Sequence, residues 1–347
     1  MFKPKRDKIS FLISIILLVF FTILILFLRL SYGNSIISFN IILKVLFSKN
    51  SQIENQTIYT VIKNIRLPSF ISAFTIGSIL AISGLVMQLI LKNPLAEPYT
   101  LGISAGASFG CSLAIFLSGI VPYFSVTILM LTPFFAVSFG IFSAILIFVI
   151  ALKTKSYSSS SLIISGIIVN SFFTACITIL FYLLGQKVNL ALSWMMGLIP
   201  LADKNWIFLI LFEIFLFIIY FSFHKEFDII SITESSSTGI GLNTARFKQI
   251  FFLISAIGVS LIVAQSGIIP FIGIIVPYLL KLNHENHFKQ NLVYSLFFGG
   301  NFLVIIDMLT YLIPSIFKSN IQIPVGAVTG FLGSPFFLFL LTRRKFK

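Results

Sequence analysis

Few side chains in this sequence can do chemistry, so the type and place of each one carry weight. Of 347 residues, 10 are Asp or Glu and 3 are His. Two carboxylates, Glu213 and Asp307, fall inside long apolar runs. A carboxylate in hydrocarbon is costly and marks a function or a specific partner. Each either forms a structural hydrogen bond to a neighbouring helix or belongs to a proton path. A third acid, Glu97, stands in Lys92-Asn93-Pro94-Leu95-Ala96-Glu97-Pro98. Pro94 and Pro98 forbid a helix there and force a defined turn. An ordinary stiff turn does not need Asn, Glu and two prolines together. Another apolar run is broken by Ser165, Gly166, Asn170, Ser171 and Thr174. Positions 166, 170 and 174 lie four apart and so share a helix face. Such a polar stripe borders a neighbouring helix or a water-filled path.

The remaining reactive residues exclude several functions. Cys111 and Cys176 sit in apolar runs with no His or carboxylate nearby in sequence, as small packing residues do. His224, His284 and His287 lie between apolar runs. No metal-ligand cluster, nucleophile–base set or cofactor motif is present in the sequence, and no G-x-x-x-x-G-K-[S/T] loop. The chain is therefore read as no enzyme, without metal or cofactor, and as unable to hydrolyse ATP by a P-loop. The net charge of +14 comes in short clusters between apolar runs, without the basic stripe and interleaved aromatics of a nucleic-acid binder.

The elements that must position these residues follow from the solvent. Hydrophobic residues make up 58% of the chain and charged residues 10%, against roughly 25% charged in soluble domains. The apolar residues run continuously instead of alternating, which points to membrane-spanning helices and away from a β-barrel. Ten spans are expected, at about 10–30, 67–91, 100–118, 124–152, 162–184, 206–223, 248–264, 268–282, 292–313 and 325–341. The eighth is short and contains Pro277. The first follows a basic N-terminus, but at about 20 residues its apolar stretch exceeds a signal peptide's, and no small-residue cleavage site follows; it is read as a retained span. With the N-terminus inside, sixteen of the 24 Lys and Arg residues fall on the inner side and eight on the outer. That bias favours both termini in the cytoplasm. Three connections are long: 31–66 and 185–205 outside, and a Ser-, Thr- and Gly-rich stretch at 224–247 inside, sized to dock a soluble partner.

Taken in order, the motifs resemble the FecCD-type permease family, which serves ATP-binding-cassette importers of ferric siderophores, haem and cobalamin. The matching stretches are RLP (66–68), SGLVMQ (83–88), NPLAEP (93–98), LGISAGAS (101–108), WMMG (194–197), SGIIPFIGIIVP (266–277), Asp307 and IPVGAVTGFLGSPFF (323–337). They extend over most of the chain.

The resemblance implies a single all-α polytopic domain of the type II importer kind in a bacterial cytoplasmic membrane. It implies a second permease chain, identical or related, with the fifth spans lining a pore between the two. An extracytoplasmic substrate-binding protein would dock outside and two ATPase subunits inside, on a coupling loop at about 228–247 that includes Glu234, Gly239 and Gly241. Asn93, Leu95, Ser159 and Ser160 would narrow the inner mouth. Ser165, Gly166, Asn170 and Thr174 are the pore-lining candidates, and Pro94, Glu97, Pro98 and Asp307 the structural motif. The outer docking charges would be Arg66, with Lys63 and Lys318 as substitutes, because Ser69 and Tyr311 stand where the family usually has arginines. An ion-gradient-driven carrier is the alternative. It needs ionisable groups near mid-membrane, and this sequence offers few.

Overall fold

The computed structural model describes residues 4–33, 35–47, 56–120, 125–153, 159–200, 206–232, 243–283, 287–316 and 322–343. The described residues are helical, with no strand among them. In chain order the helices are α1 (Pro4–Ser31), α2 (Phe39–Phe47), α3 (Gln56–Thr60), α4 (Leu67–Ile90), α5 (Ile103–Ile120), α6 (Ser125–Met130), α7 (Thr132–Lys153), α8 (Ser159–Leu184), α9 (Val188–Met195), α10 (Trp206–Ser222), α11 (His224–Ile232), α12 (Thr244–Ser266), α13 (Ile272–Asn283), α14 (Phe288–Ile316) and α15 (Val325–Arg343). A π-turn, Val61–Arg66, joins α3 to α4 without a break.

Each expected span corresponds to an apolar helix. Among the described residues seven helices are long and apolar enough, and an eighth if α10 and α11, bent by 58° at their junction, are taken together. The clearest shortfall is α13. Its 12 residues rise about 18 Å at 1.5 Å each, too little for a hydrocarbon core of about 30 Å. The chain enters α13 through Gly267 and Phe271, whose φ values of 70° and 72° are incompatible with a continuing helix. The fourth expected span likewise divides at Leu131 into α6 and α7.

The connection at 31–66 is more ordered than a polar loop. Ile42 and Val45 of α2 pack with Leu30, Ile37 and Ile62 into a small separate core. The pattern FNIILKVLF supplies one apolar face, and that face closes over the C-terminal end of α1.

α4 is the central element, buried along nearly its whole length. Small residues allow its closest crossings. A Cβ at Gly77 would strike the Gly299 carbonyl and Leu303 of α14, and one at Gly84 would strike the Gly273 backbone of α13. α1 stands at the periphery with its side chains largely facing outward.

Candidate translocation site

The loop around Asn93 is built on α4. After Leu91 the chain reverses through Lys92, at φ 47°. Asn93 Oδ1 accepts the Leu95 N–H at 2.9 Å, and the Asn93 carbonyl accepts that of Ala96 at 3.1 Å. Asn93 thus folds the turn around itself, as an Asx turn does, and Pro94 prevents α4 from continuing. Pro98 and Glu97 are buried, whereas Asn93, Pro94 and Leu95 are half-buried. The Glu97 carboxyl accepts a hydrogen bond from the Phe271 backbone, and burial pushes its pKa up to about 8. Gln88 Nε2 donates to the Gly273 carbonyl at 2.9 Å. The loop is therefore fastened to the start of the half-helix α13 by two polar side chains, one on either side of the turn.

α8 meets this loop from its far end. Gly166 packs on Leu101, and the Asn170 backbone lies against Gly102, where φ is 83°. Ser159 and Ser160 form the first turn of α8, with Ser160 exposed. The stripe read from the sequence does not keep to one environment. Ser165 and Gly166 are buried within the chain, Asn170 is half-buried and Thr174 is exposed. A step of four residues on a 3.6-residue helix advances about 40°, so the series rotates from the α5 contact to the outer surface. The four candidates therefore lie in different environments. Ser165 and Gly166 pack inside, while the hydroxyls on the open face belong to Ser171, Thr174 and Thr178, each bonded to a carbonyl four residues earlier.

Near the start of α4, Asp307 is fully buried and its Oδ2 receives the Arg29 Nε at 2.8 Å. Arg29 also donates to Ser69 Oγ at 3.0 Å, and its guanidinium lies 4.9 Å over the Tyr311 ring. Ser69 and Tyr311, the two departures from the family pattern, are thus both contacts of one buried arginine. Sequence reasoning missed Arg29 as a functional residue. The available signal was complementarity: a lone arginine in one apolar run and a lone aspartate in another. Arg66 was expected as an exposed docking charge, but only 4% of it is accessible. Its guanidinium donates to the carbonyls of Leu30 and Ser31 at the end of α1 and of Ser35 in the turn that follows. Lys63 is half-buried with its ammonium 5.2 Å over the Tyr59 ring. Lys318 lies outside the described residues, as do Glu234, Gly239 and Gly241. Glu213 is buried against the hydroxyls of Thr75 and Ser78.

Three further motifs meet. Gly197, Gly267 and Gly326 interlock: Leu198 N–H donates to the Ser266 carbonyl at 2.8 Å, and Gly326 N–H to that of Gly197 at 3.4 Å. A Cβ at Gly197 would strike the Ile268 carbonyl and Gly326. WMMG, the glycine–proline stretch before α13 and the opening of α15 are therefore one knot.

The FecCD transport family model matches residues 17–343, which is nearly the whole chain. The chain belongs to the FecCD transport family. Among its relatives, the ABC transporter permease YvrB of Bacillus subtilis is 31% identical over 82% of this chain and 79% of that protein. The Fe(3+) dicitrate transport system permease FecD of Escherichia coli is 28% identical, over 83% of this chain and 86% of that one. The vitamin B12 import system permease BtuC of Vibrio vulnificus is also 28% identical, over 86% of each. A solved ABC transporter chain in an inward-facing conformation superposes with a TM-score of 0.77 at 24% identity, covering 96% of this chain and 99% of that one, and shows the same fold. Within this FecCD fold, the loop around Asn93 is half-buried, and the open face of α8 carries exposed hydroxyls among exposed apolar side chains.

Proposed function

We propose that this FecCD-family chain is the pore-forming subunit of an ATP-binding-cassette importer that carries an iron chelate or a cobalamin across a bacterial cytoplasmic membrane. The observation that carries the reading is the open face of α8. Ser171, Thr174 and Thr178 lie there among Ile167, Ile168, Phe172 and Ile179, with no helix among the described residues covering them. Hydroxyls on an uncovered face of a spanning helix suit a path completed by a second permease chain, identical or related. The relatives named for ferric dicitrate and vitamin B12 support the cargo class.

In this reading both termini are cytoplasmic, as the Lys and Arg bias favours. An extracytoplasmic binding protein delivers cargo, with Lys63 and Lys318 the cations on its side and Arg66 committed to the fold. Two ATPase subunits engage the stretch containing Glu234, Gly239 and Gly241. Asn93 and Leu95, with Ser159 and Ser160, narrow the inner mouth. An ion-driven carrier is disfavoured because Asp307 is held by Arg29 and Glu213 lies against hydroxyls of α4.

The test is uptake by proteoliposomes holding the permease, its ATPase and its binding protein, with ferric dicitrate and cyanocobalamin as probes. Accumulation of one probe that requires hydrolysable ATP is expected. Accumulation driven by a proton gradient without ATP would reject the reading.

A further inference from the structure

The helix α11 comes just before the inner stretch 233–242, and α12 starts just after it. Their ends are clamped together. Phe227 of α11 is fully buried; its ring lies 5.0 Å from Phe247 and 4.8 Å from Phe251 of α12, both edge-on. It also stacks on Phe288, the first residue of α14, at 4.2 Å and 24°. The next residue, Asp228, reaches the same place by a different force. Its Oδ1 accepts the Phe288 backbone N–H at 2.6 Å, one of the orphan donors that a helix start leaves. His287 Nδ1 stands 3.5 Å from its other oxygen.

A carboxylate from a different helix thus does what a residue at 287 would ordinarily do for its own helix. Local capping needs no such reach, so the bond's geometric consequence is to join α11 to α14. From α14 the path onward is short. α14 and α4 cross at Gly77 and Gly299 with no room for a methyl group, and Ser78 Oγ donates to the Leu296 carbonyl at 2.9 Å. α4 ends in the Asn93 loop. A cavity of about 370 Å³ lies at this junction, bordered by Asp228, Ser231, Phe288, Asn291, Gln88 and Asn93. It leaves the loop space to move relative to α11, while the Asp228 bond fixes what α11 pulls on.

We propose that Asp228 is the positioning residue that transmits movement of α11 through α14 and α4 to the loop at Asn93–Leu95. The inference rests on the importer reading and names the link that the reading needs. Coupling of this kind requires a packed, contiguous route between two sites, and the ring stack plus the carboxylate bond are its first step.

The test uses the complete complex with Cys111 and Cys176 replaced and Leu95→Cys introduced. Labelling of that thiol by a polar maleimide is timed without nucleotide and with ATP trapped by vanadate. The rate is expected to change about tenfold between the two states in the parent complex. In Asp228→Ala the change is expected to fall below about twofold, as removal of one charge-assisted bond permits. Asp228→Ala with His287→Asp supplies α14 with a cap of its own while leaving α11 unlinked; its labelling is also expected to stay flat, whereas Asp228→Asn, which keeps an acceptor, is expected to restore the change. A nucleotide-dependent rate retained in Asp228→Ala overturns the proposal. So does its recovery in the double variant, which would make Asp228 a helix cap and nothing more. Failure of both variants to assemble, or a flat rate in the parent, overturns it as well. Uptake by the parent complex is judged separately: if ATP drives no uptake there the importer reading itself falls, whereas intact uptake with an unaffected Asp228→Ala removes the transmission role alone.

Discussion

Arg29 and Asp307 show how a residue-level departure is absorbed. Serine and tyrosine stand at 69 and 311, and the buried guanidinium of Arg29 fills the space between them and supplies the positive charge beside Asp307. Removing one partner strands the other charge in a water-free interior, at a cost of about 3–5 kcal/mol. Arg29→Met and Asp307→Leu are each expected to lower stability by that order in detergent unfolding, and the double variant to recover most of it. Equal losses in the single and double variants would show that the pair is not the source. Glu97 makes a different prediction. Its folded pKa of about 8 lies above the ordinary 4.5. Such an acid adds no penalty below its unfolded pKa and costs the folded state progressively as pH rises toward its folded pKa. Stability is therefore expected to decline between pH 4.5 and 8. Glu97→Gln, which keeps an acceptor for Phe271, is expected to flatten that decline in a pH series of thermal unfolding. Of these residues the sequence marked Asp307 and Glu97 by rarity and setting. It left Arg29 in a charge tally and put Arg66 at the docking surface, because a sequence does not reveal which backbone carbonyls a folded side chain reaches.

At the scale of elements, apolar length located the helices well and judged their depth poorly. α4, α5, α8 and α12 run close to the expected bounds because each is a continuous apolar run. α13 was expected to cross, and its 12 described residues are shorter than a full span. Its brevity is set by the positive φ at Gly267 and Phe271 and by the carboxyl of Glu97 from another loop, neither of which is a property of the stretch alone. The crossing of α4 with α13 is the corresponding weak point. At Gly84 backbone faces backbone, so an added side chain finds no flexible neighbour to displace. Gly84→Val is expected to cost at least the ~1–3 kcal/mol of an overpacked core and to lower the melting temperature in detergent. Gly330→Ala, where the nearest atom stands 4.0 Å away, is expected to have no such effect. Equal melting temperatures for the two variants would count against the crossing. The outer cap of α2 and the π-turn was legible only as a long connection, since its apolar face is short and its packing partners are the ends of other helices.

At the scale of the molecule, one chain forms a bundle around α4 and leaves α8 open on one side. The motif order in the sequence was sufficient to suggest the family, and the match over residues 17–343 shows it. The path was less legible. The four-residue spacing at 166, 170 and 174 includes Gly166, which packs inward, and left out Thr178, which shares the open face, because helix rotation and the α5 contact are tertiary facts. The central claim is that cargo passes along this face between two permease chains. The most direct measurement is labelling of Thr174→Cys by a membrane-impermeant maleimide in the assembled, cysteine-replaced complex, compared with Leu12→Cys on the outward face of α1. The account predicts that Thr174→Cys is labelled in at least one nucleotide state and protected by cargo, while Leu12→Cys stays unlabelled in the lipid. Thr174→Cys as inert as Leu12→Cys in every state would contradict it.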